Sequence, residues 1–116
     1  MEDKLTVQVE QIIDYIMRKC LWQFHSRAWD RERQNTEILA KTTQILCGET
    51  PDTQNSADRC YWVDAEMMSR GFKREFLWMA ELDKDQIKTL MEKVKLRLDF
   101  LTIHGSLNRE LTDPKY

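Results

Sequence analysis

Apolar residues recur at helical spacing in four stretches of the chain, and no stretch alternates apolar and polar residues over more than a few positions. Apolar side chains three or four residues apart lie on one face of an α-helix. The spacing predicts helices over residues 3–19, 25–46, 57–70 and 84–103, followed by a polar tail over 106–116. The predicted fold is therefore all-α, a single domain over residues 1–116 with about four helices.

Apolar stripes and turn residues define the first two helices. The predicted core stripe of the first helix is Val9, Ile12, Ile13 and Ile16. The stripe of the second is Ile38, Leu39, Thr42, Ile45 and Leu46. Gly48 follows the second stripe at a position typical of a helix C-terminus, and the loop GETPDTQNSA comes next.

Capping signals place the last two helices. Ser56 is the predicted N-cap of the third, and Gly71 is predicted to end or bend it. Asp83 and Gln86 form a capping-box pattern ahead of the fourth helix. The predicted apolar face of the third helix is Cys60, Val63 and Met67. That of the fourth is Ile87, Leu90, Met91, Val94, Leu98 and Leu101, with Gly105 after its end.

Composition supports helices and narrows the function. Only 3 Gly and 2 Pro occur in 116 residues. With 18 basic and 20 acidic residues the net charge is −2, and neither a nucleic-acid nor a membrane-surface footprint is visible. The chain contains no apolar run suited to a signal peptide or a membrane span, so we expect a cytoplasmic protein.

Histidine and cysteine residues do not form a recognisable site. Cys20, Cys47 and Cys60 contain no CxxC pair, which favours reduced thiols over a disulfide framework or a zinc ribbon. His25 and His104 lack the HExxH or Glu-x-x-His context of metal sites. Cys60 and His104 could form a nucleophilic pair only if the fold brought them together, which the sequence does not show. We therefore expect no catalytic residue and no metal ligand, and a cofactor-binding helical bundle is the alternative of another class.

One stretch, CLWQFHSRAWDRERQN at 20–35, mixes large aromatic and charged residues. If the second helix extends back through it, Trp22, His25 and Trp29 form a stripe separate from the core stripe. Outward-facing tryptophan beside arginine is typical of protein interfaces. Alternatively, the helix breaks near Ser26 and both tryptophans enter the chain's own core. The continuous helix also points Arg31 toward the core stripe, a conflict that the sequence leaves open.

The chain resembles the delta subunits of the alternative nitrogenases. The matching residues are CLWQFHSRAWDRERQN at 20–35, CYWVDA at 60–65, and LTIHGSLNREL with the terminal Tyr116. HSRAWDRERQN followed by EIL, together with DRCYWVDA, resembles the iron-only branch more than the vanadium branch, which is the nearest alternative.

The resemblance implies a non-catalytic helical subunit of the catalytic component of a nitrogenase. Such a subunit binds mainly the alpha subunit within an α2β2δ2 complex and supports cofactor loading in the enzyme that fixes nitrogen. The resemblance also implies that the alpha and beta subunits hold the iron-sulfur P-cluster and the iron-iron cofactor. A separate iron protein is expected to dock transiently. No cofactor, nucleic acid or membrane is expected to bind this chain. The predicted partner-binding residues are Trp22, His25, Arg27, Trp29, Asp30, Arg31 and Arg33.

Overall fold

The structure is a computed structural model that describes residues 3–20, 31–52, 54 and 58–103, with the side chains of 31–35, 102 and 103 outside the description. The α-helices are α1 (Lys4–Tyr15), α2 (Arg31–Leu46), α3 (Arg59–Glu75) and α4 (Lys84–Ile103). A π-helical turn, Ile16–Cys20, continues α1, and a 3₁₀ helix, Leu77–Glu81, precedes α4. These described ranges contain no β-strand, and the all-α prediction is confirmed.

The predicted helix ends are confirmed at two places by backbone geometry. At the end of α2, Gly48 has a φ of +97°. Its N–H donates to the Ile45 carbonyl at 2.9 Å, and the Glu49 N–H donates to the Gln44 carbonyl at 3.0 Å. These two bonds form a Schellman motif, which requires the left-handed conformation that glycine adopts without strain.

The predicted capping box begins α4. The Asp83 N–H donates to Gln86 Oε1 at 2.9 Å, and the Gln86 N–H donates to Asp83 Oδ1 at 2.8 Å. Two backbone donors that α4 leaves without intrahelical partners are thereby satisfied. The bounds of α4 coincide with the predicted range of 84–103.

The third predicted helix is displaced toward the C-terminus. The helix begins at Arg59, with Asp58 in the N-cap position and no side-chain capping bond, whereas Ser56 lies outside the described residues. The prediction that Gly71 ends or bends the helix is wrong about the end, because α3 continues to Glu75. Gly71 is instead a packing position inside the helix.

One core joins all four helices. α2 packs against both α3 and α4, and α4 also packs against α1. The fully buried side chains come from every helix and include Ile12, Ile38, Leu39, Met68, Phe72, Leu90, Val94 and Leu98. The apolar stripes predicted for α1 and α4 are buried in this core, apart from Leu101, which is half-buried.

Tyr15 joins α1 to α3. Its ring packs edge-on against Phe72 and Phe76, with centroids 5.7 Å apart in both cases. A Cβ added to Gly71 would lie only 2.2 Å from the Tyr15 hydroxyl oxygen and 3.2 Å from Cζ. Glycine at this position therefore allows the tyrosine to reach the helix surface.

Gly71→Ala should therefore lower the free energy of unfolding by about 1–3 kcal/mol, because overpacking outweighs the gain in helix propensity of up to about 1 kcal/mol. Removing the hydroxyl with Tyr15→Phe should reduce that loss, since Cζ then becomes the nearest obstacle. Urea unfolding of the two single variants and the double variant measures this coupling. Equal effects of Gly71→Ala in both backgrounds would show that the tyrosine hydroxyl is not the obstacle.

Candidate partner-binding surfaces

The structure does not describe the side chains of the predicted anchor residues. Trp22, His25, Arg27, Trp29 and Asp30 are outside the described residues. The backbones of Arg31 and Arg33 belong to the first turns of α2, but their side chains are outside the description. The anchor surface therefore remains a prediction, as does the alternative in which both tryptophans enter the core.

The cysteines in the described ranges do not build a chemical site. Cys20 is buried in the core, and burial raises the pKa of its thiol to about 12. Cys47 and Cys60 are partly exposed, and Cys47 Sγ lies 3.9 Å from the Lys84 carbonyl oxygen. No group of three or more His, Cys, Asp or Glu side chains placed to hold a metal ion occurs among the described residues. His104 lies outside them.

A buried lysine occupies the contact between α2 and α3. Lys41 is only 7% exposed. Its Nζ lies 2.6 Å from Glu37 Oε2 and 4.0 Å from Asp58 Oδ2. The ammonium group also lies 5.9 Å from the ring centroid of Tyr61 and 5.4 Å from that of Trp62. A carboxylate and two π-faces thus compensate its loss of water.

The Lys41 cluster, defined as Lys41, Glu37, Tyr61 and Trp62, gives part of CYWVDA a structural role. Tyr61 and Trp62 are both buried and point toward α2. Sequence reasoning did not single out Lys41. The available signal was the spacing of Glu37 and Lys41, four residues apart, with Lys41 three residues after Ile38 on the buried stripe.

The face of α3 that Cys60, Val63 and Met67 share is not the face that is buried in the core. Val63 and Met67 are 40% and 44% exposed, and Cys60 is half-buried. The buried face is the neighbouring stripe of Tyr61, Trp62, Ala65, Met68, Ser69 and Phe72. The larger aromatic residues enter the core, so the stripe with Val63 and Met67 faces outward. Arg70 pairs with Glu66 beside this stripe.

A second exposed apolar surface lies between α1 and α4. Leu96 is 63% exposed and Phe100 is 49% exposed, one helical turn apart on α4. Together with Thr6, Val9, Lys93 and Arg97 they line a groove of about 350 Å³, which we call the Leu96–Phe100 groove. Arg97 Nε lies 3.2 Å from Glu10 Oε1 as an ion pair without hydrogen-bond geometry, and its guanidinium lies 5.5 Å from the Phe100 ring centroid.

Helices α2 and α4 run antiparallel. Cys47, at the end of α2, contacts Lys84 at the start of α4. Residues 36–43 of α2 and 88–95 of α4 line a shared cleft, so the two helices run antiparallel.

Comparisons with known proteins decide the family. The sequence profile described as vanadium/alternative nitrogenase delta subunit matches residues 6–116. The chain belongs to this nitrogenase delta-subunit family.

Full-length relatives carry the name of one branch. A nitrogenase iron-iron protein delta chain from Clostridium pasteurianum is 55% identical over 116 residues, the full length of both chains. Delta chains of the same name from Rhodospirillum rubrum and Azomonas macrocytogenes are 54% and 53% identical, again over the full length of both. The resemblance to the iron-only branch that the sequence indicated is thereby confirmed.

Family membership makes the chain part of an oxidoreductase complex, and the surfaces described above are those that such a subunit could offer to another chain. In CYWVDA, one of the stretches on which the resemblance rests, Tyr61, Trp62 and Ala65 are buried, whereas Val63 is exposed. This stretch therefore serves the fold chiefly. The stretch at 20–35 lies largely outside the described residues.

Lys41→Ala should lower the free energy of unfolding by about 2 kcal/mol, because it removes the buried stem and both cation–π contacts. Lys41→Met, which keeps an unbranched apolar side chain in the pocket, should lose less. Lys88→Ala, on an exposed position of α4, is the matched control and should change stability by less than about 0.5 kcal/mol. Urea unfolding would argue against the cluster if Lys41→Ala behaved like this control.

Stability should fall as the pH rises from about 9 to about 12, because the Cys20 thiol has an ordinary pKa of 9.0 and a folded-state pKa of about 12. A raised folded-state pKa means that the native state retains its proton while the unfolded state releases it. The contribution of the Cys20 thiol to the free energy of unfolding is therefore complete below about pH 9 and is lost as the pH rises toward about 12. Burial also raises the pKa of Tyr15, which acts in the same direction.

Cys20→Ala should flatten this alkaline loss, measured as the unfolding midpoint in urea between pH 8 and pH 11. Cys47→Ala is the matched control, with a partly exposed side chain. An unchanged alkaline slope in Cys20→Ala would assign the loss to other groups. In thiol labelling at neutral pH, Cys20 should react more slowly than either partly exposed cysteine.

Proposed function

We propose that this chain is the non-catalytic delta subunit of the catalytic component of an iron-only nitrogenase. The observation that carries the proposal is the identity of 53–55% over full length to proteins named as iron-iron delta chains. In this role the chain binds the alpha subunit within an α2β2δ2 complex. It contributes to ATP-dependent reduction of N2 to ammonia by supporting cofactor loading, in the cytoplasm.

Metal clusters, in this proposal, belong to the alpha and beta subunits. The iron-sulfur P-cluster and the iron-iron cofactor are held there, and a separate iron protein delivers electrons during transient contact. Cys20 is buried, and burial raises the pKa of its thiol to about 12, so this thiol is not a nucleophile at neutral pH. The chain acts through its surface.

The main contact with alpha is proposed to be the anchor surface, defined as Trp22, His25, Arg27, Trp29, Asp30, Arg31 and Arg33. Its composition supports this assignment, because tryptophan and arginine dominate the energetics of protein interfaces. Charged residues at its edge would form charge-assisted hydrogen bonds with alpha. The exposed apolar residues on α3 and α4 further support a chain that is covered by a partner.

A vanadium nitrogenase is the second candidate, because the matching family profile covers both alternative enzymes. A tagged pull-down from cells grown without fixed nitrogen, molybdenum or vanadium separates the candidates. Alpha and beta chains recovered with iron and no vanadium support the iron-only assignment. Recovery of the chain without nitrogenase subunits would contradict the proposal, and metal bound to the isolated chain would favour a cofactor-binding bundle.

Trp29→Ala should weaken binding to the complex by about 2 kcal/mol, or about thirtyfold in Kd, as expected for an interface hot spot. Leu77→Ala is the control, since Leu77 is 80% exposed on the 3₁₀ helix. Binding is measured by titrating each tagged variant onto complex that lacks the delta chain. Normal binding with a lowered Tm would instead place Trp29 in this chain's own core.

A further inference from the structure

Gln8 on α1 is a buried amide without a hydrogen-bond partner among the described residues. The residue is only 8% exposed. Its side chain forms no hydrogen bond with any described residue. Arg97 Nε is the one fully enclosed side-chain nitrogen or oxygen that lacks a partner in the described part of the chain. The Gln8 amide is therefore not sealed in the core, and it lies at the small accessible area of the residue.

This amide opens into a cleft between the first turns of α1 and α4. The cleft has a volume of about 420 Å³, a size typical of protein binding sites. Leu5 and Leu82, both half-buried, line it with apolar side chains, and Asp83 and Asp85 line it from the start of α4. We call it the Gln8 cleft, defined by Leu5, Gln8, Leu82, Asp83 and Asp85.

A glutamine is an unfavourable choice for this position if folding alone matters. Burying an amide without a partner costs stability, whereas an apolar side chain of the same shape avoids that cost. The great majority of buried polar groups in native proteins have a partner, so an exception calls for a physical explanation. Since the Gln8 amide faces a cleft that admits a side chain from outside, a contact with another molecule explains its presence.

Hydrogen-bond acceptors set the chemistry of the Gln8 cleft. Asp85 forms no ion pair with a described residue. Asp83 Oδ1 accepts the Gln86 N–H, and the second oxygen of Asp83 accepts no hydrogen bond from a described residue. Of the charged side chains that line the cleft, two are carboxylates and one, Lys4, is an ammonium. A cation rich in hydrogen-bond donors complements this surface.

We infer that the Gln8 cleft binds an arginine side chain of the nitrogenase subunit to which this chain binds. This inference rests on the proposed function. A guanidinium group carries five N–H donors and no acceptor, so it can donate to the Asp85 carboxylate and to Gln8 Oε1 at the same time. Its aliphatic stem packs against Leu5 and Leu82. The bound arginine thereby supplies the partner that Gln8 lacks in the free chain.

Gln8→Met separates binding from folding, because methionine keeps the length and helix propensity of glutamine but has no amide. The Tm should stay equal or rise. Binding is measured by titrating tagged full-length variants onto alpha–beta complex that lacks the delta chain, and Kd should rise about tenfold, as expected for a lost hydrogen bond to a charged group. Gln11→Met, at an exposed position of α1, is the matched control and should bind within about twofold of the unchanged chain. A lowered Tm in Gln8→Met would show that the amide serves the fold and would overturn the inference.

Asp85→Asn removes the charge and keeps the shape of the side chain. In the same titration it should raise Kd about tenfold and weaken the salt dependence of binding, because a cation on the partner loses its carboxylate. Glu92→Gln makes the same change of net charge at another exposed position of α4, and should bind within about twofold of the unchanged chain. Equal losses in Asp85→Asn and Glu92→Gln would assign the effect to the overall charge of the chain and overturn the inference.

The remaining outcomes distinguish this inference from the proposed function. If the unchanged chain does not bind the complex, the proposed function fails and the inference fails with it. If the unchanged chain binds and both Gln8→Met and Asp85→Asn bind equally well, the inference alone is wrong. A soluble cation is the other occupant to be tested, with spermidine as the probe. If millimolar spermidine raises the Tm of the unchanged chain but not of Asp85→Asn, and both bind the complex equally, the cleft holds a small cationic ligand and the inference is overturned.

Discussion

A chain of 116 residues can build only one modest core, and each helix can bury one face in it. That limit determines which apolar residues become interior and which become surface. On α3 the face with Tyr61, Trp62 and Phe72 is buried, since it removes more apolar area from water than Val63 and Met67 would. The remaining apolar residues are available to a partner.

Close packing and one buried charge hold the helices in their arrangement. Tyr15 lies over Gly71 and against two phenylalanines, which joins α1 to α3 through a contact that would have to shift to admit an added methyl group. Lys41 joins α2 to α3 differently, because its ammonium group requires Glu37 and two aromatic faces when it leaves water. Such a contact favours one arrangement of the two helices, since a shifted register would keep Glu37 beside the charge but remove the aromatic faces of α3.

Most of the fold could be predicted from local sequence, and the errors have physical causes. The capping box at Asp83 and the glycine at 48 were predictable because both depend on interactions between residues close in the chain. The buried face of α3 was not, because two apolar stripes compete there and tertiary packing selects between them. Helix propensity predicts that Gly71 ends or bends α3, whereas contact with Tyr15 determines its role.

The candidate site was less accessible to sequence reasoning than the fold. Tryptophan and arginine within 20–35 indicate an interface by composition, but their orientation depends on where the helix breaks, which composition does not specify. Lys41 was missed because a lysine in a charged chain is usually solvated, and only its place on the buried stripe of α2 distinguishes it. The exposed surface formed by Leu96 and Phe100 could not be predicted from the sequence, because their exposure depends on how α1 packs against α4.

The proposed support of cofactor loading carries a thermodynamic condition. A subunit without chemistry of its own can favour one state of alpha only by binding that state more tightly than the other. Linkage is reciprocal, so if the delta chain favours cofactor-loaded alpha by some factor, loading must tighten delta binding by the same factor. A rigid surface meets this condition better than a pliable one, because a pliable surface adapts to both states and discriminates between them less. The packed contacts at Gly71 and Lys41 thus bear on function through the rigidity of the helices that hold the surface.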